Sequence, residues 1–132
     1  MLTTVDSPIS IKILDETTSG TILNQLKLDF LTAKISLCDL ITNRVRTEIE
    51  NQKQSQTPQM YSLIEGDTDK TESELLNPDL IHKKVEFALE MFQKNGFLVL
   101  IDDVQMVDLT QEIYLNHQTQ ITFLKLIPLI GG

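Results

Sequence analysis

At 132 residues the chain is long enough for one domain with one core and too short to expect two. Apolar residues make up 41% and charged residues 23%, an ordinary globular balance, and no stretch approaches the ~18 consecutive apolar residues of a membrane helix. The net charge of -8 argues against nucleic acid, which needs a basic face, and suits a basic protein partner or simple solubility.

In chain order, Ile9, Ile11 and Ile13 alternate with Ser10, Lys12 and Leu14, a strand period. Thr17-Thr18-Ser19-Gly20 reads as a turn, and Leu26, Leu28 and Phe30 alternate again, which predicts an N-terminal hairpin. A helix follows from Ser36, with Asp39 three residues on completing a capping pair. Its apolar stripe is Leu37, Leu40, Ile41, Val45 and Ile49, ending near Asn51. Residues 52–76 turn to Gln, Ser, Thr, Asp and Glu, interrupted by Tyr61, Leu63 and Ile64, and are expected to be a mobile surface insertion.

Asn77-Pro78 opens a second helix, with Asn as cap and Pro at the first position. Ile81, Val85, Ala88, Leu89 and Phe92 keep its period until Asn95-Gly96, which tolerate the left-handed conformation. Phe97 to Ile101 is a continuous apolar run, expected as a strand buried on both sides. Asp102-Asp103 turns it into a short strand from Val104 to Val107, and Asn116-His117 is a further turn. Gln120 to Ile127 is the last strand, with Ile121, Phe123 and Ile127 on one face and Leu124 and Leu126 on the other. Pro128 to Gly132 is a projecting tail. A hairpin crossed by a helix, with the final strand returning beside the first, predicts an α+β chain in the β-grasp arrangement: a single domain over 1–132.

The segment FLVLIDDVQMVDLTQEIYLNHQTQITFLKLIPLIGG, Phe97 to Gly132, resembles the C-terminal half of ubiquitin-like and sulfur-carrier proteins. Strand, turn, short strand, turn, last strand and Gly-Gly come in that family's order. The ending Pro128-Leu129-Ile130-Gly131-Gly132 is most similar to the molybdopterin-synthase small subunit and its thiamine-pathway relative. The N-terminal hairpin and the helix from Ser36 match the family's layout, whereas residues 52–95 depart from it. The carriers lack that acidic insertion and second helix, and ubiquitin's basic tail is replaced by apolar Leu126, Ile127, Leu129 and Ile130. An enlarged β-grasp of this kind looks like a bacterial ubiquitin-like modifier acting with its own enzymes.

The resemblance implies that Gly132 is the activated acyl group and that Pro128, Leu129 and Ile130 contact an activating enzyme. A carboxylate attacks the α-phosphorus of ATP to give an acyl-adenylate, which a thiolate converts to a thioester and a lysine amine captures. Sulfide or persulfide attack would instead give a thiocarboxylate. Glycine threads a narrow channel because it has no Cβ, and Pro128 stops strand pairing. The protein would then be a substrate, not an enzyme. It would bind no cofactor itself, ATP being used by the partner. The implied partners are an activating enzyme, a conjugating enzyme and target proteins. A non-covalent binding module with an incidental C-terminus is the third alternative. The bland reading of Gly131-Gly132 is a frayed end, but with glycine only 5 of 132 residues the pair is an uncommon coincidence.

Other candidates are weaker. The single Cys38 excludes an internal disulfide and a cysteine metal cluster, and between Leu37 and Leu40 it reads as a buried structural residue. His82 and His117 lack a second ligand at metal spacing, and Asp102-Asp103 fits turn chemistry better than acid/base work. Lys83-Lys84 and Arg44/Arg46 are the dense basic spots and read as solvated helix faces. With no basic start before an apolar run in Met1 to Ser10, a cytoplasmic location is expected.

Overall fold

Two antiparallel strands open the chain in the computed structural model, which describes residues 4–54 and 78–126, with side chains for 8–51 and 79–126. β1 (Thr4–Thr17) and β2 (Ile22–Thr32) pair in register, Ile9 to Phe30, Ile11 to Leu28 and Ile13 to Leu26, so the alternation places one apolar row inward. Both strands run longer than the alternation alone suggests. At the turn, Thr17 N–H donates to Thr21 O and Gly20, at φ 89°, donates back to Thr17 O. A Cβ at Gly20 would find open space, so it is the positive φ that favours glycine there.

A short strand, β3 (Lys34–Ser36), leads into α1 (Leu37–Gln54). The expected capping pair forms reciprocally: Asp39 N–H donates to Ser36 Oγ at 3.0 Å and Ser36 N–H to Asp39 Oδ2 at 3.2 Å. Residues 52–54, assigned above to the insertion, continue this helix. The rest of the insertion lies outside the described residues, as do Tyr61, Leu63, Ile64 and the Asn77 cap.

α2 (Pro78–Gln93) packs on α1 and reaches the strand that follows it. Its end is a Schellman motif: Asn95 at φ 61° donates to Phe92 O, and Gly96 donates to Met91 O at 2.7 Å. β4 (Phe97–Ile101) and β5 (Val104–Met106) form a two-residue hairpin whose corners, Asp102 and Asp103, both have positive φ, 49° and 68°. This is the primed turn that matches strand twist, built here without glycine. β6 (Glu112–Tyr114) pairs antiparallel with β3 as a separate two-stranded sheet that the sequence pattern did not reveal. β7 (Ile121–Lys125) is shorter than the expected strand; Leu126 lies beyond it and Ile127 outside the described residues.

The main sheet has the order β2-β1-β7-β4-β5, with β7 parallel to β1 and all other neighbours antiparallel. A five-stranded mixed sheet with one crossing helix is an α+β, β-grasp-like fold, to which α2 adds a second helix. The core joins Ile11, Ile13, Leu28, Val99, Ile121 and Phe123 of the sheet to Leu37, Leu40, Ile41 and Val45 of α1 and Ala88 and Phe92 of α2. Phe97 lies between Phe92 and Phe123, its ring centroid 5.9 and 6.0 Å from theirs. Among the described residues no helix is long and apolar enough to cross a membrane.

Candidate functional site

The expected reactive residues, Gly131 and Gly132, and the expected contacts Pro128, Leu129 and Ile130 lie outside the described residues. What is described is the strand that leads to them. β7 is the middle strand of five, and its last residue, Lys125, is flanked by Thr17 of β1 and Phe97 of β4. The chain therefore heads for Pro128 from the centre of the sheet, held on both sides by a strand ladder.

The two faces of β7 differ. Ile121 and Phe123 are fully buried against the helices. Thr122 and Leu124 point to the other face, where the register sets Leu98 and Leu100 of β4 on one side and Leu14 and Glu16 of β1 on the other. These four leucines are half-buried, so this other face of the sheet has an apolar centre close to the end of β7. β4 is thus buried on one face only, not on both as its continuous apolar run suggested. α2 does not cover the outer face, because it sits beside α1 on the core side.

Beneath β7 is a cluster of charges, Arg44, Asp15 and Glu48. Arg44, expected on a solvated face, is completely buried. Its Nη1 and Nη2 donate to Oδ1 and Oδ2 of Asp15, both at 2.6 Å, and its Nε and Nη2 donate to Glu48 Oε1 at 3.1 and 2.8 Å. The guanidinium carbon sits 5.0 Å from the Phe123 ring centroid. Burial alone would lower the Arg44 pKa, but the Asp15 hydrogen bonds and the Glu48 and Asp15 charges together raise it above the ordinary value. Asn24 Nδ2 also donates to Asp15 Oδ2, at 3.3 Å. Lys84, likewise expected in solvent, is buried too, while Arg46 and Lys83 are exposed as expected.

A signal for this cluster exists in the sequence. Asp15 continues the inward series Ile9, Ile11, Ile13, and Arg44 and Glu48 fall within the stripe of Leu40, Ile41, Val45 and Ile49. Charged residues at core positions of two neighbouring elements are a pairing signature, because an unpaired buried charge is too costly to keep.

Cys38 is half-buried, not buried, and lines a groove of about 550 Å³ between α1 and α2 with Ile49, Ile81, His82, Val85 and Leu89. Its own N–H donates to Leu109 O, and Thr42 Oγ1 donates to its carbonyl. His82 pairs with Glu86 at 3.0 Å on the exposed face of α2. At the small sheet, Lys34 meets Glu112 at 3.2 Å and Tyr114 Oη donates to Glu112 at 3.1 Å. The Lys34 contact, then the tyrosine, hold the Glu112 carboxyl below its usual range. Compared with family models, curated proteins and solved structures, the chain matches none.

Proposed function

We propose that the protein is a ubiquitin-like modifier whose Gly132 carboxylate is adenylated by a partner enzyme, passed to a thiol and joined to amines of target proteins. The observation that carries this reading is the join between fold and sequence. The central strand of a β-grasp-like sheet leads through Leu126 and Ile127 into Pro128-Leu129-Ile130-Gly131-Gly132. Pro128 has no N–H to continue a ladder, and the two glycines add no side chain near the reacting carbonyl.

The steps balance without a catalyst on this chain. A Gly132 carboxylate oxygen bonds to the α-phosphorus of ATP and pyrophosphate leaves. A partner thiolate then attacks the carbonyl and AMP leaves, and an amine attacks the thioester and the thiolate leaves. ATP is the partner's co-substrate, and the setting is cytoplasmic. Leu14, Leu98, Leu100 and Leu124 offer an apolar surface around β7 for the enzymes to hold while the tail is threaded.

The Pro-x-x-Gly-Gly ending favours a second reading, a sulfur carrier, in which sulfide or persulfide displaces AMP to leave a thiocarboxylate. Mass spectrometry of the native chain, alone and after incubation with its activating enzyme and ATP, tests both. The modifier reading requires a mature chain ending at Gly132 and an amide from it to a lysine once conjugating enzyme and target are present. One sulfur in place of oxygen indicates the carrier. A native chain extending past Gly132, with no processing to expose it, defeats both.

A further inference from the structure

We infer that the outer edge of β2 is a self-association surface, where two copies of this chain join β2 to β2 antiparallel about a two-fold axis at Leu28. β2 is an edge strand of eleven residues, and among the described residues nothing pairs with its outer side. Such an edge presents a row of unpaired N–H and C=O groups to any strand of matching register.

The register follows from the residues. Strands that extend a sheet must oppose residues of the same face, which restricts a β2–β2 pairing to two-fold axes that pass through a residue. On the solvent face of β2 lie Gln25, Lys27, Asp29 and Leu31; Leu26, Leu28 and Phe30 face the core. An axis at Lys27 opposes lysine to lysine, and an axis at Asp29 opposes aspartate to aspartate. At Leu28, Lys27 of each copy meets Asp29 of the other, Leu26 meets Phe30, and Leu28 meets itself. Axes further along leave Lys27 without a counter-charge. The Leu28 register runs from Asn24 to Thr32 in each copy, wholly within β2 and clear of the bulge near Leu23.

The charges of the isolated chain support a partner of this kind. Lys27 stands directly opposite Lys12 on β1, a like-charge pair that costs stability on a sheet. Lys27 makes no ion pair among the described residues. Among the described residues Asp29 accepts only the Ser10 hydroxyl, at 2.5 Å, and is exposed. A lone edge lysine would guard against pairing, whereas lysine and aspartate spaced evenly about one residue are self-complementary. Leu31, 62% exposed, would be drawn into the joint opposite Gln25. The main sheet then becomes ten strands, with β1 standing between β7 and the joined β2 strands. This inference stands whether or not Gly132 is conjugated.

Sedimentation equilibrium of the full chain is the test. The expected result is a concentration-dependent species at twice the 15.0 kDa monomer mass. Lys27→Asp alone, or Asp29→Lys alone, should weaken association roughly tenfold or more, since two symmetric pairs turn from attraction to repulsion. The double variant Lys27→Asp/Asp29→Lys restores the charge pairing and should restore the dimer. Circular dichroism checks that each variant is folded; both side chains are exposed, so all should be. A chain monomeric at all concentrations overturns the inference, and so does a dimer that ignores the single reversals or is not recovered by the swap.

Discussion

Arg44 on α1 and Asp15 on β1 face each other as two parallel N–H···O bonds of 2.6 Å, with neither side chain reaching solvent. This fork ties the crossing helix to the strand beside β7, and the stacking of Arg44 on Phe123 extends the tie to β7 itself. Removing one partner leaves the others charged and buried. Arg44→Ala should therefore cost about 3–5 kcal/mol in denaturant unfolding. Replacing Arg44, Asp15 and Glu48 together by Met, Leu and Leu should cost less, because the three charges that meet at the fork leave together. A single-variant loss below about 1 kcal/mol, well under that range, would contradict the buried cluster.

The hairpin corner distinguishes two neighbouring aspartates. Asp103 holds φ 68°, and its side chain has no polar contact among the described residues. Asp103→Gly should be neutral or stabilising by up to about 1 kcal/mol, since glycine adopts this angle without a Cβ penalty. Asp102 also has positive φ, but its Oδ1 accepts Gln120 N–H at 2.9 Å while its own N–H donates to Gln120 O at 2.8 Å. Asp102→Gly forfeits the first of these bonds and should be the less stable of the two. Melting temperatures of the pair, compared side by side, check the order.

Acid should expose the Lys34–Glu112–Tyr114 contact. The folded-state pKa of Glu112 is lowered, so its contribution is present above the unfolded glutamate pKa and is lost as pH falls through the folded one. Glu112→Gln should then melt slightly below the parent at pH 7, with the gap closing below the ordinary carboxylate range. A gap that widens on acidification would contradict the assignment.

The strands and helices were legible wherever the apolar period was long. The inward series of β1, the stripe of α1 and its Ser36–Asp39 cap each carried several concordant residues, and the buried set Leu40, Ile41, Phe92 and Val99 followed. β3 and β6 were not legible, because three residues each hold too little period. Each carries a single buried apolar residue, Ile35 in β3 and Ile113 in β6. The charged core was missed for a different reason. Composition assigns arginine, aspartate and glutamate to the surface, and only position on two facing elements reveals that Arg44 and Asp15 point at each other. The tail was read from Pro128-Leu129-Ile130-Gly131-Gly132 itself, and the fold adds the strand from which it departs.

That tail carries the central claim. Mass spectrometry of the full chain incubated with its activating enzyme, conjugating enzyme, a target and ATP should find an amide between Gly132 and a lysine amine. Deleting Gly131-Gly132 should abolish the adduct and leave the melting temperature of the chain unchanged, since two terminal glycines carry no side chain to bury. An unmodified chain under those conditions, together with full activity of the deletion variant, would contradict the account.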